Sequence, residues 1–85
     1  MTKNDIRAAV VAALRTIAPE SDPATLADTA RLRDELDLDS MDFLNFVVAL
    51  HDALHVDIPE RDYPKMQTLA GAVGYLETKI ASAPA

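Results

Sequence analysis

Three runs of helix-spaced hydrophobic residues, each bounded by proline or turn residues, limit what this chain can fold into. From Lys3 to Ile17 the apolar residues Ile6, Val10, Leu14 and Ile17 recur at spacings of four, four and three, and Ala8, Ala9, Ala12 and Ala13 add helix propensity. Pro19 and the stretch Glu20-Ser21-Asp22-Pro23 stop that helix and begin a loop. A second run opens at Asp39-Ser40 and continues to Leu54. Ser is a good N-cap, and Asp42 falls in the first turn, where the helix dipole favours an acid. Val56-Asp57-Ile58-Pro59 then reads as extended, and Pro59 to Tyr63 as a single helical turn stopped near Pro64. The third run, capped by Thr68, carries Leu69, Val73, Leu76 and Ile80 before an Ala/Ser/Pro tail that frays over Ala81 to Ala85.

Residues 18 to 39 hold Leu26, Leu32, Leu36 and Leu38 without a sustained helical period, although Thr29 to Leu36 suits a short helical turn. Loops this long in compact domains are functional or disordered. The regularly placed leucines point to one pinned to the core. The fold expected is all-α: a small four-helix bundle of three main helices and one short helix, with a long loop between helices one and two. Eighty-five residues, 49% of them hydrophobic, suffice for one core, so a single domain over 1–85 is expected, ordered from about 3 to 81.

Fourteen acidic against eight basic side chains give a formal charge of −6. That balance repels nucleic acid and anionic membrane surfaces and suits basic protein partners. The sequence has no cysteine, so any thiol chemistry must come from an added group. Met1 to Asp5 runs directly into the amphipathic pattern, and no apolar run approaches membrane-spanning length, which predicts a cytoplasmic protein without membrane insertion. A monomer is the plain expectation.

Catalytic and metal constellations fail on inspection. Asp37 and Asp39 begin like a calcium loop, but Met41, Asp42 and Val48 stand where a ligand, a Gly and a Glu are needed. His51 and His55 form an i, i+4 pair with no evident third ligand, so no metal is expected. Ser40 has no His and Asp near it in sequence to suggest a hydrolytic triad, and the chain is not expected to be an enzyme.

The second helix carries more apolar surface than a core requires. At one hundred degrees per residue, Phe43, Phe46, Val47, Leu50 and Leu54 form one stripe wide enough to face the other helices. Met41, Leu44 and Val48 form a second, interrupted by Asn45 and continued by Asp52, which points outward in so small a bundle and suggests a docking face.

Leu36-Asp37-Leu38-Asp39-Ser40-Met41-Asp42 resembles the signature of the acyl carrier protein family, in which a Ser between Asp and an apolar residue accepts a phosphopantetheine group. The match continues through Val48-Ala49-Leu50, Val56-Asp57-Ile58-Pro59 and Thr68-Leu69, covering residues 30 to 80. The resemblance implies a covalent 4′-phosphopantetheine on Ser40, flanked by Asp39 and Met41. A phosphopantetheinyl transferase would install it, and acyl ligases, synthases or acyltransferases would exchange acyl thioesters with it, in lipid, fatty acid or polyketide-type biosynthesis. Docking would involve Asp42, Leu44, Asn45 and Val48. An aminoacyl carrier of D-alanyl or peptidyl type, or a cofactor-free helical interaction module, is the alternative.

The resemblance further implies an apolar space for the acyl chain, with Phe43, Phe46, Leu50, Ile58, Tyr63, Met66 and Leu69 as its walls. The rings of Phe43 and Phe46 would shorten such a pocket, favouring short or unusual acyl groups. The sequence also departs from the family's usual pattern. Asp37 occupies the position of a Gly, Asn45 replaces a characteristic Glu, and His51-Asp52-Ala53 stands where acids cluster. Those departures shift docking toward apolar contact and point to a specialised stand-alone carrier.

Overall fold

The computed structural model describes residues 2–82, which form α1 (Lys3–Ile17), α2 (Leu32–Glu35), α3 (Ser40–Leu54) and α4 (Leu69–Ser82). Two 3-10 segments, Pro23–Thr25 and Glu60–Met66, lie in the connections. The arrangement is the expected all-α bundle, three substantial helices with short ones between. α1 begins where its first turn is satisfied. The Thr2 hydroxyl accepts the Asp5 N–H at 3.1 Å, and the Asp5 carboxylate accepts the Thr2 N–H at 3.0 Å, a reciprocal capping box.

α1 packs across both α3 and α4 and gives the core Ile6, Val10, Ala13 and Leu14. α3 gives Phe43, Phe46, Val47 and Leu50, and α4 gives Leu69, Ala72, Val73 and Leu76. Ile17, Leu54 and Ile80 pack on the edge of this cluster, half-buried. Each large side chain in it contributes about 1.5–3 kcal/mol of burial, against an ordering cost of about 1–2 kcal/mol for every residue fixed.

The first connection is pinned, as its leucines suggest. Leu32, Leu36 and Leu38 are buried and Leu26 is partly so, with Pro23 also enclosed. Its backbone is stapled to the head of α4: Arg31 pairs with Thr68 in an antiparallel bridge, and the Leu32 N–H donates to the Gln67 carbonyl at 2.9 Å. In return the N–H groups of Leu69 and Ala70 donate to the carbonyls of Ala30 and Asp28 at 3.3 and 2.9 Å. A loop without its own secondary structure must find partners for its backbone, and here it uses the donors that a helix start leaves open.

Two boundaries differ from those read off the sequence. The short segment after Pro59 does not stop near Pro64. It runs to Met66 as a 3-10 helix with Pro64 inside it. Proline removes one N–H donor, but Met66 is wholly buried and the Tyr63 ring lies 5.5 Å from that of Phe43, so burial on both sides carries the turn through. α4 likewise continues through Ala81 and Ser82, where fraying was expected; residues 83–85 of that tail lie outside the described ones.

Candidate functional site at the head of α3

The approach to α3 is set by one left-handed residue. Asp37, with φ 53°, ends α2, and the Leu38 N–H returns to the Arg33 carbonyl at 2.9 Å. That bond closes the C-terminal turn in the Schellman pattern, which glycine usually serves and a short polar side chain tolerates. Buried Leu38 then anchors the chain, and Asp39 enters α3 in extended conformation.

Here the sequence reading needs correction: Ser40 does not cap the helix. Asp39 does, its carboxylate accepting the Asp42 N–H at 2.8 Å, while the Asp42 carboxylate accepts the Asp39 N–H at 3.3 Å. A carboxylate one residue before Ser40 already reaches the third helical N–H, so the hydroxyl is not needed for that bond. Ser40 becomes the first helical residue, solvent-exposed, and its hydroxyl has no hydrogen-bond partner among the described residues. The helical ladder starts with the Phe43 N–H on the Asp39 carbonyl, and the N–H groups of Ser40 and Met41 are likewise without partners there. An exposed hydroxyl beside two open N–H groups at the positive end of a fifteen-residue helix suits a phosphodiester.

The two stripes of α3 separate as expected. Met41, Leu44 and Val48 are the large apolar side chains exposed among the described residues, at 63, 41 and 48%. Asn45 and Asp52 are exposed on the same helix, and Asp42 is half-exposed. Phe43, Phe46, Val47 and Leu50 face inward, with the Phe43 and Phe46 rings edge to face at 5.8 Å. His51 turns its Nδ1 to the Val56 carbonyl at 2.8 Å, with Asp57 3.7 Å away. His55 sits beyond the helix end in left-handed conformation, φ 55°.

A cleft of about 400 Å³ opens beside Ser40, between α3 and the 3-10 segment Glu60–Met66. Met41, Phe43, Leu44 and Tyr63 form its apolar wall, and Arg33, Glu60 and Gln67 its polar one. Leu44 and Tyr63 also border a second groove of about 560 Å³, which runs on past Val47, Val48 and Ile58. Of the side chains assigned to an acyl space, Phe43, Ile58 and Tyr63 therefore reach a cleft. Phe46, Leu50, Met66 and Leu69 have no accessible surface and lie inside the closed core. Arg33 and Gln67 were not read from the sequence as neighbours of Ser40: the turn closed across left-handed Asp37 brings Arg33 there, and the bridge between residues 31 and 68 brings Gln67.

The Tyr75 hydroxyl donates at 2.6 Å to Asp62, in the first turn of the 3-10 segment, and Lys65 stands 3.6 Å from the same carboxylate. Burial, then the bond to Asp62, pushes the Tyr75 phenol up to about 12. Asp62 is held below the usual carboxylate range, chiefly by that hydrogen bond, with Lys65 and Arg61 assisting. This pair ties α4 to the segment that forms one wall of the clefts.

The structure is thus a small helical bundle with an exposed, unpartnered serine hydroxyl at the head of its second long helix. The family described as phosphopantetheine attachment site matches residues 5–76. An acyl carrier protein of Brachyspira hyodysenteriae is 33% identical over 57 residues, 67% of this chain and 73% of the relative. One from Bdellovibrio bacteriovorus is 33% identical over 58 residues, 68% and 74% of the two chains. A mitochondrial acyl carrier protein of Neurospora crassa is 25% identical over 76 residues, 89% of this chain and 57% of the relative. The chain belongs to the acyl carrier protein family, and its prosthetic group is a covalently bound 4′-phosphopantetheine. Members of this family generally interact with synthases, transferases and phosphopantetheinyl transferases. Among the described residues, no helix is long and apolar enough to cross a membrane.

Proposed function

We propose that Ser40 bears the 4′-phosphopantetheine arm and that the protein holds acyl intermediates as thioesters for partner enzymes of lipid, fatty acid or polyketide-type biosynthesis, without catalysing a reaction itself. The observation that carries this reading is the Ser40 hydroxyl, exposed and unpartnered beside the open N–H groups of Ser40 and Met41. Loading forms a bond from Ser40 Oγ to the pantetheine-side phosphorus of coenzyme A and breaks the diphosphate. Adenosine 3′,5′-bisphosphate leaves, and the hydroxyl proton passes to a base of the phosphopantetheinyl transferase. The bound group supplies the thiol that the cysteine-free chain lacks.

The chain's own residues position that group. Asp39 and Asp42 lock the helix start through their capping box and present negative charge to a basic transferase surface. Met41, Leu44 and Val48, with Asn45 between them, offer an apolar patch on which loading and receiving enzymes dock. Short acyl groups fit the reading best. Phe43 and Tyr63 line the cleft beside Ser40, whereas a chain entering the core must separate Phe46, Leu50, Met66 and Leu69. The protein acts as a cytoplasmic monomer in this reading.

The test is intact mass after incubation with coenzyme A, magnesium and a broad-specificity transferase. One added arm on the native chain and none on Ser40→Ala is the expected result. An arm that still appears on Ser40→Ala, or a native chain that resists several transferases, sinks the assignment.

A further inference from the structure

A phosphodiester on Ser40 enters acidic surroundings. Asp39 and Asp42 flank the serine, Glu60 stands in the wall of the adjoining cleft, and the chain carries a formal charge of −6. The two open N–H groups at the head of α3 offset only part of that, since they carry partial charges. Among the residues lining the Ser40 cleft, Arg33 is the cation. The ion pairs of the described residues engage Arg7, Arg15, His51 and Lys65, and the Arg33 guanidinium has neither ion pair nor hydrogen bond among them.

Its backbone is nonetheless fixed. The Arg33 carbonyl accepts the Leu38 N–H at 2.9 Å across left-handed Asp37, so the turn joining Arg33 to Ser40 is closed. A guanidinium offers a planar fork of donors that meets two phosphate oxygens at once, which an ammonium cannot do. The cleft leading away from Arg33 and Ser40 has polar groups available to the amides of an arm. Gln67 uses its Nε2 to donate to the Tyr63 carbonyl at 3.2 Å, which leaves its Oε1 to accept. The Tyr63 hydroxyl has no partner among the described residues.

We propose that Arg33 holds the phosphodiester of the arm and thereby lays the arm into the cleft between α3 and the 3-10 segment, toward Tyr63 and Gln67. The inference rests on attachment at Ser40. Arg33 then sets how long the thiol end stays against the protein and how long it is extended to a partner. Ionic strength shifts the balance toward extension by screening the pair.

The experiment uses the loaded protein in four forms: native, Arg33→Gln, Arg33→Lys and Arg31→Gln. Arg31 borders the neighbouring cleft with Arg33 but not the one at Ser40, and serves as the control. Intact mass establishes loading, and Ser40→Ala confirms its place. A nitroxide on the arm thiol then reports position through broadening of the Tyr63 and Gln67 backbone amide signals, and the Arg33 Nε–H resonance is compared in the native protein before and after loading.

The expected result is a shift of that resonance on loading, and amide broadening that is lost in Arg33→Gln, reduced in Arg33→Lys and kept in Arg31→Gln. A native chain that gains no mass removes the attachment reading and this inference with it. Full loading with an unmoved Arg33 resonance, or equal broadening in native and Arg33→Gln proteins, overturns the role of Arg33 alone. Should Arg33→Gln resist loading, the native comparison before and after loading decides.

Discussion

α3 and α4 both begin with a side chain capping the third helical N–H, yet one start is closed and the other left open. At the head of α4 the three helical N–H groups ahead of the ladder all find partners: Leu69 on the Ala30 carbonyl, Ala70 on the Asp28 carbonyl and Gly71 on the Thr68 hydroxyl, with Ala72 opening the ladder on the Thr68 carbonyl. At the head of α3, Asp39 serves Asp42 and Phe43, and the N–H groups of Ser40 and Met41 are unpartnered among the described residues. The difference follows burial. Leu69 is buried, and an unsatisfied donor beside it would cost about 1–3 kcal/mol. Ser40 and Met41 are exposed, water meets their donors, and a phosphate can replace that water. The long first connection supplies carbonyls to α4 and leaves the start of α3 open.

The sharpest break of this comparison is at Ser40 itself. Ser40→Ala is expected to abolish attachment of the arm, read as intact mass. Because Asp39 holds the cap, the same variant should shift the unfolding free energy by no more than about 0.5 kcal/mol in a denaturant titration. At the closed start the expected effect is structural. A Cβ on Gly71 would stand 2.8 Å from the Lys65 carbonyl oxygen and 2.9 Å from the Thr68 hydroxyl, so Gly71→Ala should destabilise by about 1–3 kcal/mol. An unchanged Tm would mean that α4 is less tightly seated than this packing requires.

Removing the α3 cap by Asp39→Ala should cost about 0.5–2 kcal/mol, more than Ser40→Ala does. Equal losses would return the capping role to the serine. One turn along α4, a Cβ on Gly74 meets nothing within 4 Å, so Gly74→Ala should stabilise by about 0.5–1 kcal/mol, opposite in sign to Gly71→Ala.

The smallest effect is confined to the ends of the pH scale. Tyr75, raised to about 12 in the fold, contributes stability that is fully present below about 10, its ordinary value, and is lost as pH rises through about 12. Asp62, lowered in the fold, contributes above the usual carboxylate range and loses its share as pH falls through its folded value. Tyr75→Phe should flatten the alkaline fall of Tm and lessen the acid one. A variant that tracks the native curve from neutral pH to pH 12 would show that the Tyr75–Asp62 bond does not hold α4 to the 3-10 segment.

Much of this was legible because a helix periodicity of 3.6 is a local property. The spans of α1 and α3, the inward set Phe43, Phe46, Val47 and Leu50, and the outward set Met41, Leu44 and Val48 all follow from the spacing of residues on one helix. Ser40 lay where the pattern changes, but it stood out through the resemblance of Leu36 to Asp42 to the acyl carrier protein signature. The cap was misread because Asp39 and Ser40 are both good capping residues, and only the extended backbone of Asp39 selects between them. The end of the 3-10 segment was misread because the burial of Met66, a long-range effect, outweighs the local signal of Pro64.

The sequence by itself therefore determined the helices, which of their faces is apolar, and the serine at the start of α3, since each depends on residues within a turn or two of one another. Tertiary structure alone decided that residues 28–32 pair with residues 67–70, that Arg33 and Gln67 share a cleft with Ser40, and that one helix start is closed while the other stays open. Those outcomes depend on which distant backbone groups run short of water and must find each other, and no spacing along a single segment encodes that.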